Sequence, residues 1–224
     1  MKTTKHTQGF TLLELMITIT LIGIMATIAL PAMKDFVTRQ RLAGDVSRVT
    51  SVFGFARTEA VRRNQPVLIC GGITIKSDGK PDNKCNKIQG ANKALLAFID
   101  GNKDNTYNNN TDEDLRSALI GNDHIRIIAL KLDFTPDNAD GLEAARFSFH
   151  PDGSFRVGLM RDGAASPQYK TLQNYVRITA TNGKQVHMAL IAPSGRIIPC
   201  GHLTSAQFNA LTPAEYKGTY CKFD

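Results

Sequence analysis

The chain opens with an apolar stretch long enough to cross a bilayer, and that stretch contains a single acidic residue. Residues 9–33 read GFTLLELMITITLIGIMATIALPAM, and the acid is Glu14. A helix of about 20 apolar residues spans the hydrocarbon core of a membrane. A carboxylate inside that core is costly and usually has a functional partner. The sequence therefore predicts a membrane-inserted helix whose acidic side chain pairs with another group.

The residues before this stretch, MKTTKHTQG, are polar and include Lys2 and Lys5. A secretory signal would have a shorter apolar region with a cleavage site on its far side. Here the apolar region continues, so we expect any cleavage to occur before it. The two lysines favour a cytoplasmic amino end, with the remainder of the chain outside the cytoplasm. A simple single-pass anchor that tolerates Glu14 near the interface is the alternative.

The segment GFTLLEL at residues 9–15 resembles the class III signal of type IV prepilins and type II secretion pseudopilins. The resemblance implies that a prepilin peptidase cuts after Gly9 and methylates the new amino terminus at Phe10. Glu14 then becomes the fifth mature residue. In this family, the glutamate neutralises the terminal amine of a neighbouring subunit during assembly, which would supply the partner that Glu14 needs.

Helical periodicity continues beyond Pro31, which lacks a backbone donor and should kink or loosen the helix. Apolar residues recur there in alternating steps of four and three, as expected for one face of an amphipathic helix. This stripe consists of Leu42, Val46, Val49, Phe53, Ala56 and Ala60. Asn64 and Pro66 should end the helix. We expect a leader at 1–9, a membrane and filament-core half at 10–33, and an amphipathic half at 34–63.

The remaining residues, 64–224, are expected to form a β-rich globular head. Short β-rich runs separated by turn residues are found at 66–70, 95–100, 124–132, 146–150, 154–159, 175–180, 186–191 and 195–199. Asp-Gly at 152–153 and Asn-Gly at 182–183 are typical of tight hairpin turns. The pattern predicts an α+β chain whose head is a two-sheet antiparallel sandwich or a strongly bent sheet.

Four cysteines permit three disulfide connectivities in an exported domain. We favour Cys70 with Cys85 and Cys200 with Cys221, because each pair is local in sequence. A zinc site is the competing interpretation. The cysteines lack the C-x-x-C spacing and nearby histidines of zinc fingers, which argues against it.

Three further segments, FGFARTEAVRRNQPVLIC, LLAFIDGNKD and the late SGR, resemble the GspH/FimT family of minor pilins and pseudopilins, and within it the FimU type. The resemblance implies a pilin-like fold, in which a long N-terminal helix, transmembrane in its first half, packs on an antiparallel β-sandwich head. It implies a structural subunit of the inner membrane and then of a surface pilus, without enzymatic activity or cofactor. Its expected partners are other minor pilins, the major pilin and the prepilin peptidase, in a complex that primes assembly and caps the tip.

Two related functions share this architecture. FimT-type relatives that bind DNA carry a second arginine two positions after the first, where this chain has Ile198 after Arg196. The formal net charge of +7 permits contact with DNA phosphates. The basic residues that could join such a surface are Arg196, Lys184, Lys217 and Lys222. A GspH-like pseudopilin of a type II secretion system is the other alternative.

The segment DGNKDNTYNNNTDED carries oxygen ligands at Asp100, Asn102 and Asp104, as at the start of an EF-hand loop. Asn105 replaces the glycine and Thr111 replaces the glutamate that such a loop requires, so a solvated turn or hairpin excursion is favoured over a calcium site. No H-E-x-x-H, G-x-S-x-G or Walker sequence is present, which argues against the corresponding hydrolases.

Overall fold

The computed structural model describes residues 10–82, 85, 93–120, 124–130, 146–159, 168–171 and 175–223. The chain divides into two compact units, Met1–Gln40 and Arg41–Asp224. The boundary lies within the helix α1, Leu12–Arg63. The apolar stripe predicted from the sequence is buried within the second unit, which confirms the orientation of that part of the helix.

The end of α1 is defined by its backbone geometry. Asn64 has a φ of 52°, in the left-handed region, and its N–H donates to the Val61 carbonyl. The Gln65 N–H donates to the Ala60 carbonyl at 3.2 Å. These two bonds form a Schellman motif, which satisfies carbonyls that a helix end would otherwise leave without a partner. The predicted end of the helix is therefore confirmed.

In the described part of the head, ten strands form two antiparallel sheets. The strands are β1 (Val67–Thr74), β2 (Lys93–Ile99), β3 (Glu113–Leu119), β4 (Ile125–Leu130), β5 (Arg146–Phe149), β6 (Phe155–Leu159), β7 (Gln168–Thr171), β8 (Tyr175–Thr181), β9 (Gln185–Ile191) and β10 (Ile197–Thr204). The six-stranded sheet has the order β3-β2-β1-β5-β6-β7, and the four-stranded sheet has the order β10-β9-β8-β4. The predicted α+β architecture with a two-sheet head is confirmed.

Two strands, β3 and β7, were not predicted from the sequence. Both lie at edges of the six-stranded sheet. Most residues of β3 are exposed, because an edge strand meets water along one side, and its sequence EDLRSAL lacks a clear apolar alternation. The hairpin excursion favoured for residues 100–112 is the connection between β2 and β3.

The main core of the head lies between the second half of α1 and the inner faces of both sheets. Phe53 of α1 is fully buried and packs edge-on against Phe147 of β5 and Phe155 of β6, with ring centroids 5.1 and 6.1 Å apart. Side chains alternate across a strand. The residues next to Phe147 and Phe155 therefore point to the outer face of the six-stranded sheet.

Each sheet also has a small core on its outer face, and a disulfide closes each one. Cys70–Cys85, with Tyr107, covers part of the six-stranded sheet. Cys200–Cys221 closes the segment that covers the four-stranded sheet. That segment contains α2 (Ser205–Asn209), α3 (Pro213–Glu215) and a π-helical turn (Tyr216–Tyr220). Both disulfides are the local pairs that the sequence favoured.

Glu59 connects the last turn of α1 to the edge of the six-stranded sheet. Its carboxylate accepts hydrogen bonds from Arg62 at 2.6 and 2.9 Å and from Arg63 at 2.8 Å. Arg63 also donates to Glu113 of β3 at 2.9 Å. The hydrogen bonds from Arg62 and then Arg63 lower the pKa of Glu59 from 4.5 to about 2.

This lowered pKa predicts a defined pH dependence of stability. A carboxylate with a depressed pKa in the folded state stabilises the fold above its unfolded pKa, and that contribution is lost as the pH falls. Glu59→Gln should therefore lower the melting temperature at pH 7, and the gap from wild type should close between pH 4.5 and about 2. Thr58→Ala, one residue away and uncharged, should differ from wild type in melting temperature by an amount that does not change with pH. A constant Glu59→Gln gap down to pH 2 would contradict the assignment.

Candidate functional site

The start of α1 places the predicted assembly residue in a capped first turn. Phe10 precedes the helix and is 86% exposed. The Thr11 hydroxyl accepts from the Glu14 backbone N–H at 3.2 Å, and the Thr11 carbonyl accepts from the Leu15 N–H. Thr11 is thus the N-cap, and Glu14 lies where the helix dipole favours an acid. Among the described residues, the Glu14 carboxylate has no ion-pair partner within the chain.

The threonine side chains that follow Glu14 in this segment form hydrogen bonds with carbonyls of their own helix. The hydroxyls of Thr18, Thr20 and Thr27 donate to backbone carbonyls three residues earlier, at 2.7 to 2.8 Å. This local bonding is the arrangement by which threonine can be placed in an apolar environment. The threonines therefore do not interrupt the apolar surface around the acid.

The first unit exposes large apolar side chains on every side of its helix. The residues more than half exposed between positions 10 and 25 are Phe10, Leu12, Leu13, Leu15, Met16, Ile17, Ile19, Leu21, Ile22, Ile24 and Met25. A helix that is apolar all round must be covered by lipid or by other protein. None of the helices, over the residues described, combines the length and hydrophobicity that crossing a bilayer requires. The membrane span predicted for 10–33 stays a prediction.

The sequence also predicts roles in this segment for Gly9 and Pro31. Gly9, the expected cleavage position, lies outside the described residues. Pro31 lies within α1, which continues well past it to Arg63. The proline therefore does not end the helix.

The basic residues considered for DNA contact do not all lie together. Lys184 lies in the turn before β9, whereas Arg196 lies in the turn after it. Because β9 is seven residues long, these turns are roughly 20 Å apart. The Phe223 carbonyl accepts from the Arg196 side chain at 3.0 Å, and Lys222 is the neighbour of Phe223 in sequence. Arg196 and Lys222 therefore lie at the same end of the sheet. Lys217 belongs to the π-helical turn, and its side chain lies outside the described set.

Gly195 explains why the SGR turn has its sequence. Its φ of +75° is a conformation that favours glycine, and a Cβ there would lie 2.6 Å from Cε1 of Phe149. The Gly195 N–H donates to the Ala192 carbonyl at 2.8 Å, which closes the turn between β9 and β10. The motif therefore has a packing role, and Arg196 is directed toward the C-terminal segment.

The loop considered for calcium uses its oxygens for internal hydrogen bonds. Asp100 Oδ2 accepts from the Asn105 N–H, and Asp104 accepts from the backbone and hydroxyl of Thr106. The Asn102 amide donates to Asp104 at 2.8 Å. Within the described residues, no group of three or more His, Cys, Asp or Glu side chains is arranged to hold a metal ion. The loop is therefore held in its conformation by hydrogen bonds among its own residues.

Sequence reasoning missed a row of polar residues on the outer face of the six-stranded sheet. Ser148 of β5 and Arg156 of β6 are register partners there. The signal was present in the alternation of Phe147 with Ser148 and of Phe155 with Arg156. A polar outer residue normally faces water, so the sequence could not indicate that a loop and a further strand enclose this row.

The fold and the exposed apolar helix together define a pilin-like subunit. The family model described as Type II transport protein GspH matches residues 45–191, well over half of the chain. The chain belongs to the GspH family. The model described as Prokaryotic N-terminal methylation motif matches residues 4–30, which include Gly9, Phe10 and Glu14. The family and the fold are those of structural pilins rather than enzymes.

Proteins with similar sequences include pilins and fimbrial proteins. The Type IV major alpha-pilin of Moraxella bovis is 28% identical over 161 residues, which cover 65% of this chain and 95% of that protein. The Type IV major fimbrial protein FimA of Dichelobacter nodosus is 32% identical over 113 residues, which cover 50% of this chain and 59% of that protein. The solved structure of the type IV minor pilin FimU of Pseudomonas aeruginosa aligns with a TM-score of 0.36 and 16% identity, over 72% of this chain and 90% of that one.

Proposed function

We propose that this chain is a minor subunit of a type IV pilus that is anchored in the inner membrane by residues 10–33 and then incorporated into the filament. The observation that carries the proposal is the exposed helix surface, apolar on every side between residues 10 and 25. Such a surface requires lipid before assembly and neighbouring helices after it. The methylation motif over residues 4–30 supports processing by a prepilin peptidase between Gly9 and Phe10.

In this proposal, the subunit acts by helix packing and head contacts. The apolar helix joins the filament core, while the head, residues 64–224, contacts other minor pilins and the major pilin. A minor subunit that joins first would initiate assembly and lie at or near the tip, where it could support twitching motility or adhesion. Family membership supports association with other pilins. The tip position depends on the head contacts and is part of the proposal.

Glu14 has a specific role in this mechanism. A carboxylate among packed apolar helices is strongly destabilising unless it is paired. Within the described chain it has no ion-pair partner, which leaves it available for a group from another subunit. The amine of a processed Phe10 is a cation that the same mechanism brings into the filament core. We therefore expect the Glu14 carboxylate of one subunit to pair with the Phe10 amine of its neighbour.

Glu14→Ala should leave cleavage intact and strongly reduce recovery of the subunit in sheared pili, about tenfold or more for a lost buried charge pair. Processing is measured by mass after co-expression with the prepilin peptidase, and incorporation by the amount of subunit in the sheared fraction. Thr18→Ala is the matched control, because its hydroxyl bonds only within the helix. Gly9→Arg should give an uncut precursor. Normal incorporation of Glu14→Ala would refute the pairing role.

A subunit of a type II secretion apparatus is the second candidate, and the chain's membership of the family Type II transport protein GspH favours it. The demands on the apolar helix are the same in both filaments, so the difference lies in the head contacts. Crosslinking of the full chain in its own membrane, followed by identification of the bound subunits, separates the two. Recovery of secretion-system pseudopilins instead of pilus subunits would favour this candidate. DNA uptake remains a prediction, and the separation of Lys184 from Arg196 does not favour it.

A further inference from the structure

A cavity of about 740 Å³ opens on the outer face of the six-stranded sheet. Its floor is a row of register partners on three neighbouring strands, Leu68 of β1, Ser148 of β5 and Arg156 of β6. Because side chains alternate across a strand, this row faces away from the main core. Along the floor, the aliphatic Leu68 is followed by the Ser148 hydroxyl and then by the Arg156 guanidinium. The row is about 10 Å long, because neighbouring strands lie about 4.8 Å apart.

One wall of the cavity is the turn that follows β2. Asp100, Lys103 and Asn105 line it. Lys103 and Asn105 have φ angles of 61° and 62°, and Asp100 Oδ2 holds the turn by accepting from the Asn105 N–H at 2.7 Å. The second carboxylate oxygen, Asp100 Oδ1, is buried and has no hydrogen-bond partner. A buried acceptor without a partner is costly, and a ligand donor would remove that cost.

The aromatic ring of Tyr169 in β7 also lines the cavity. Its register partner is Gly158 of β6, and a Cβ at that glycine would lie only 2.9 Å from Cε1 of the ring. Glycine therefore leaves the space that the ring occupies. Burial raises the pKa of the Tyr169 hydroxyl, so the wall is a neutral phenol at any physiological pH. The aromatic ring provides contact area for the apolar side of a ring-shaped ligand.

The floor contains buried polar atoms that are not fully hydrogen-bonded. Ser148 is 1% exposed, and its hydroxyl lies 3.5 Å from Nε2 of His150. Arg156 Nε is buried without a hydrogen-bond partner. Burial, and then the nearby Arg156 cation, lower the pKa of His150, so its imidazole is neutral at pH 7. Arg156 and Lys103 outnumber the single acid Asp100, and the lining has a net positive charge.

We propose that this cavity binds an acidic sugar, a ring with several hydroxyl groups and one carboxylate. The carboxylate would pair with Arg156 and Lys103, since guanidinium and ammonium groups bind carboxylates through charge-assisted hydrogen bonds. A hydroxyl would donate to Asp100 Oδ1, and the ring would lie against Tyr169. The volume lies in the range of small-ligand sites, which is roughly 300 to 1,000 Å³.

The mixture of polar groups favours a sugar over other anions. Asp100 requires a donor, which the dianionic group of a phosphate monoester lacks, and that group would also be repelled by this carboxylate. A hydroxyl both donates and accepts, so it can match Asp100, the Ser148 hydroxyl and the Asn105 amide together. An apolar ligand would leave Arg156 Nε and Asp100 Oδ1 unsatisfied. A polyhydroxylated carboxylate satisfies both.

The test measures binding of four compounds to the purified full chain by calorimetry. Galacturonate should bind saturably below about 10 mM. Galactose, which lacks the carboxylate, and tetrahydropyran-2-carboxylate, which lacks the hydroxyls, should each bind about tenfold more weakly, the loss of one charge-assisted contact. Trigalacturonate distinguishes the sources of the sugar. Tighter binding than the monosaccharide supports a polysaccharide, and equal binding supports a free sugar.

Variants assign the binding to this cavity. Arg156→Gln and Asp100→Asn should each weaken galacturonate binding about tenfold. Arg156 is partly buried, so its substitution could also lower stability. Lys103 is exposed, and Lys103→Gln should weaken galacturonate binding a few-fold with an unchanged melting temperature. Lys184→Gln, on the other sheet, is the control and should bind as wild type does.

Absence of saturable galacturonate binding, or binding that is unaffected by both Arg156→Gln and Lys103→Gln, would overturn the proposal. Filament incorporation of these variants should be normal, so this test is independent of the proposed assembly role.

Discussion

Phe53→Ala is expected to lower the free energy of unfolding of the head by about 4 kcal/mol, the usual cost of removing a buried phenylalanine. Phe53 is fully buried where α1 contacts β5 and β6, and its ring contacts Phe147 and Phe155. Removal of the ring leaves a cavity that rigid strands on one side and a helix on the other cannot close. Domains of this size are stable by only about 5–15 kcal/mol, so the loss is a large fraction of the total.

The measurement is a urea unfolding curve of the full chain, followed by circular dichroism. Phe55→Ala is the matched control, because Phe55 is partly exposed and the Arg116 guanidinium carbon lies 5.4 Å from the centre of its ring. That variant should lose about 1 kcal/mol, the scale of an exposed cation–π contact. Equal losses for the two variants would show that the helix is not held to the sheets through Phe53.

The second large effect is expected from loss of the C-terminal disulfide. Cys200 and Cys221 are 21 residues apart, and removing a bridge that closes a loop of this length costs about 3 kcal/mol. The bridge closes the segment that covers the outer face of the four-stranded sheet. Arg177 of β8 contacts that segment: its guanidinium donates to the Tyr216 hydroxyl at 2.6 Å and lies 4.8 Å from the centre of the Phe208 ring.

The double substitution Cys200→Ser with Cys221→Ser should therefore release the segment as well as lower stability. Limited proteolysis should give new cuts within residues 205–223, at conditions where the wild-type chain is resistant. The matched control is Cys70→Ser with Cys85→Ser, which removes a bridge of similar span, 15 residues, on the other sheet. It should lose a similar amount of stability without cuts in 205–223. If the first double variant is not cut there, the contacts of Arg177 hold the segment without the disulfide.

The parts of the fold that the sequence predicted are those governed by local rules. The buried stripe of α1 could be identified because helical spacing brings every third or fourth residue to one face. The end of the helix could be identified because Asn64 tolerates the left-handed conformation that a helix end uses. The short cysteine loops favoured local disulfides. In each case, the deciding residues are close together in the sequence.

The misses depend on neighbours that are distant in sequence. The strand β3 has exposed, charged residues and pairs only because β2 provides an edge. The charges of Lys184 and Arg196 are visible in the sequence, but their separation depends on the length and direction of β9. Ser148 and Arg156 were each consistent with an ordinary solvent-facing position.

By itself, the sequence determined the chemistry of the chain: an apolar helix with one acid at its start, an amphipathic continuation, a β-rich head and four cysteines whose spacing favours two local disulfides. These follow from residue type and spacing, because hydrophobic burial and backbone conformation act over short stretches of chain. Only the tertiary structure decided which faces remain open. The cavity requires Leu68, Ser148 and Arg156 to be aligned across strands that are far apart in the sequence, with Asp100 and Tyr169 as its walls. Strand register sets that alignment, and register is a property of the assembled sheet.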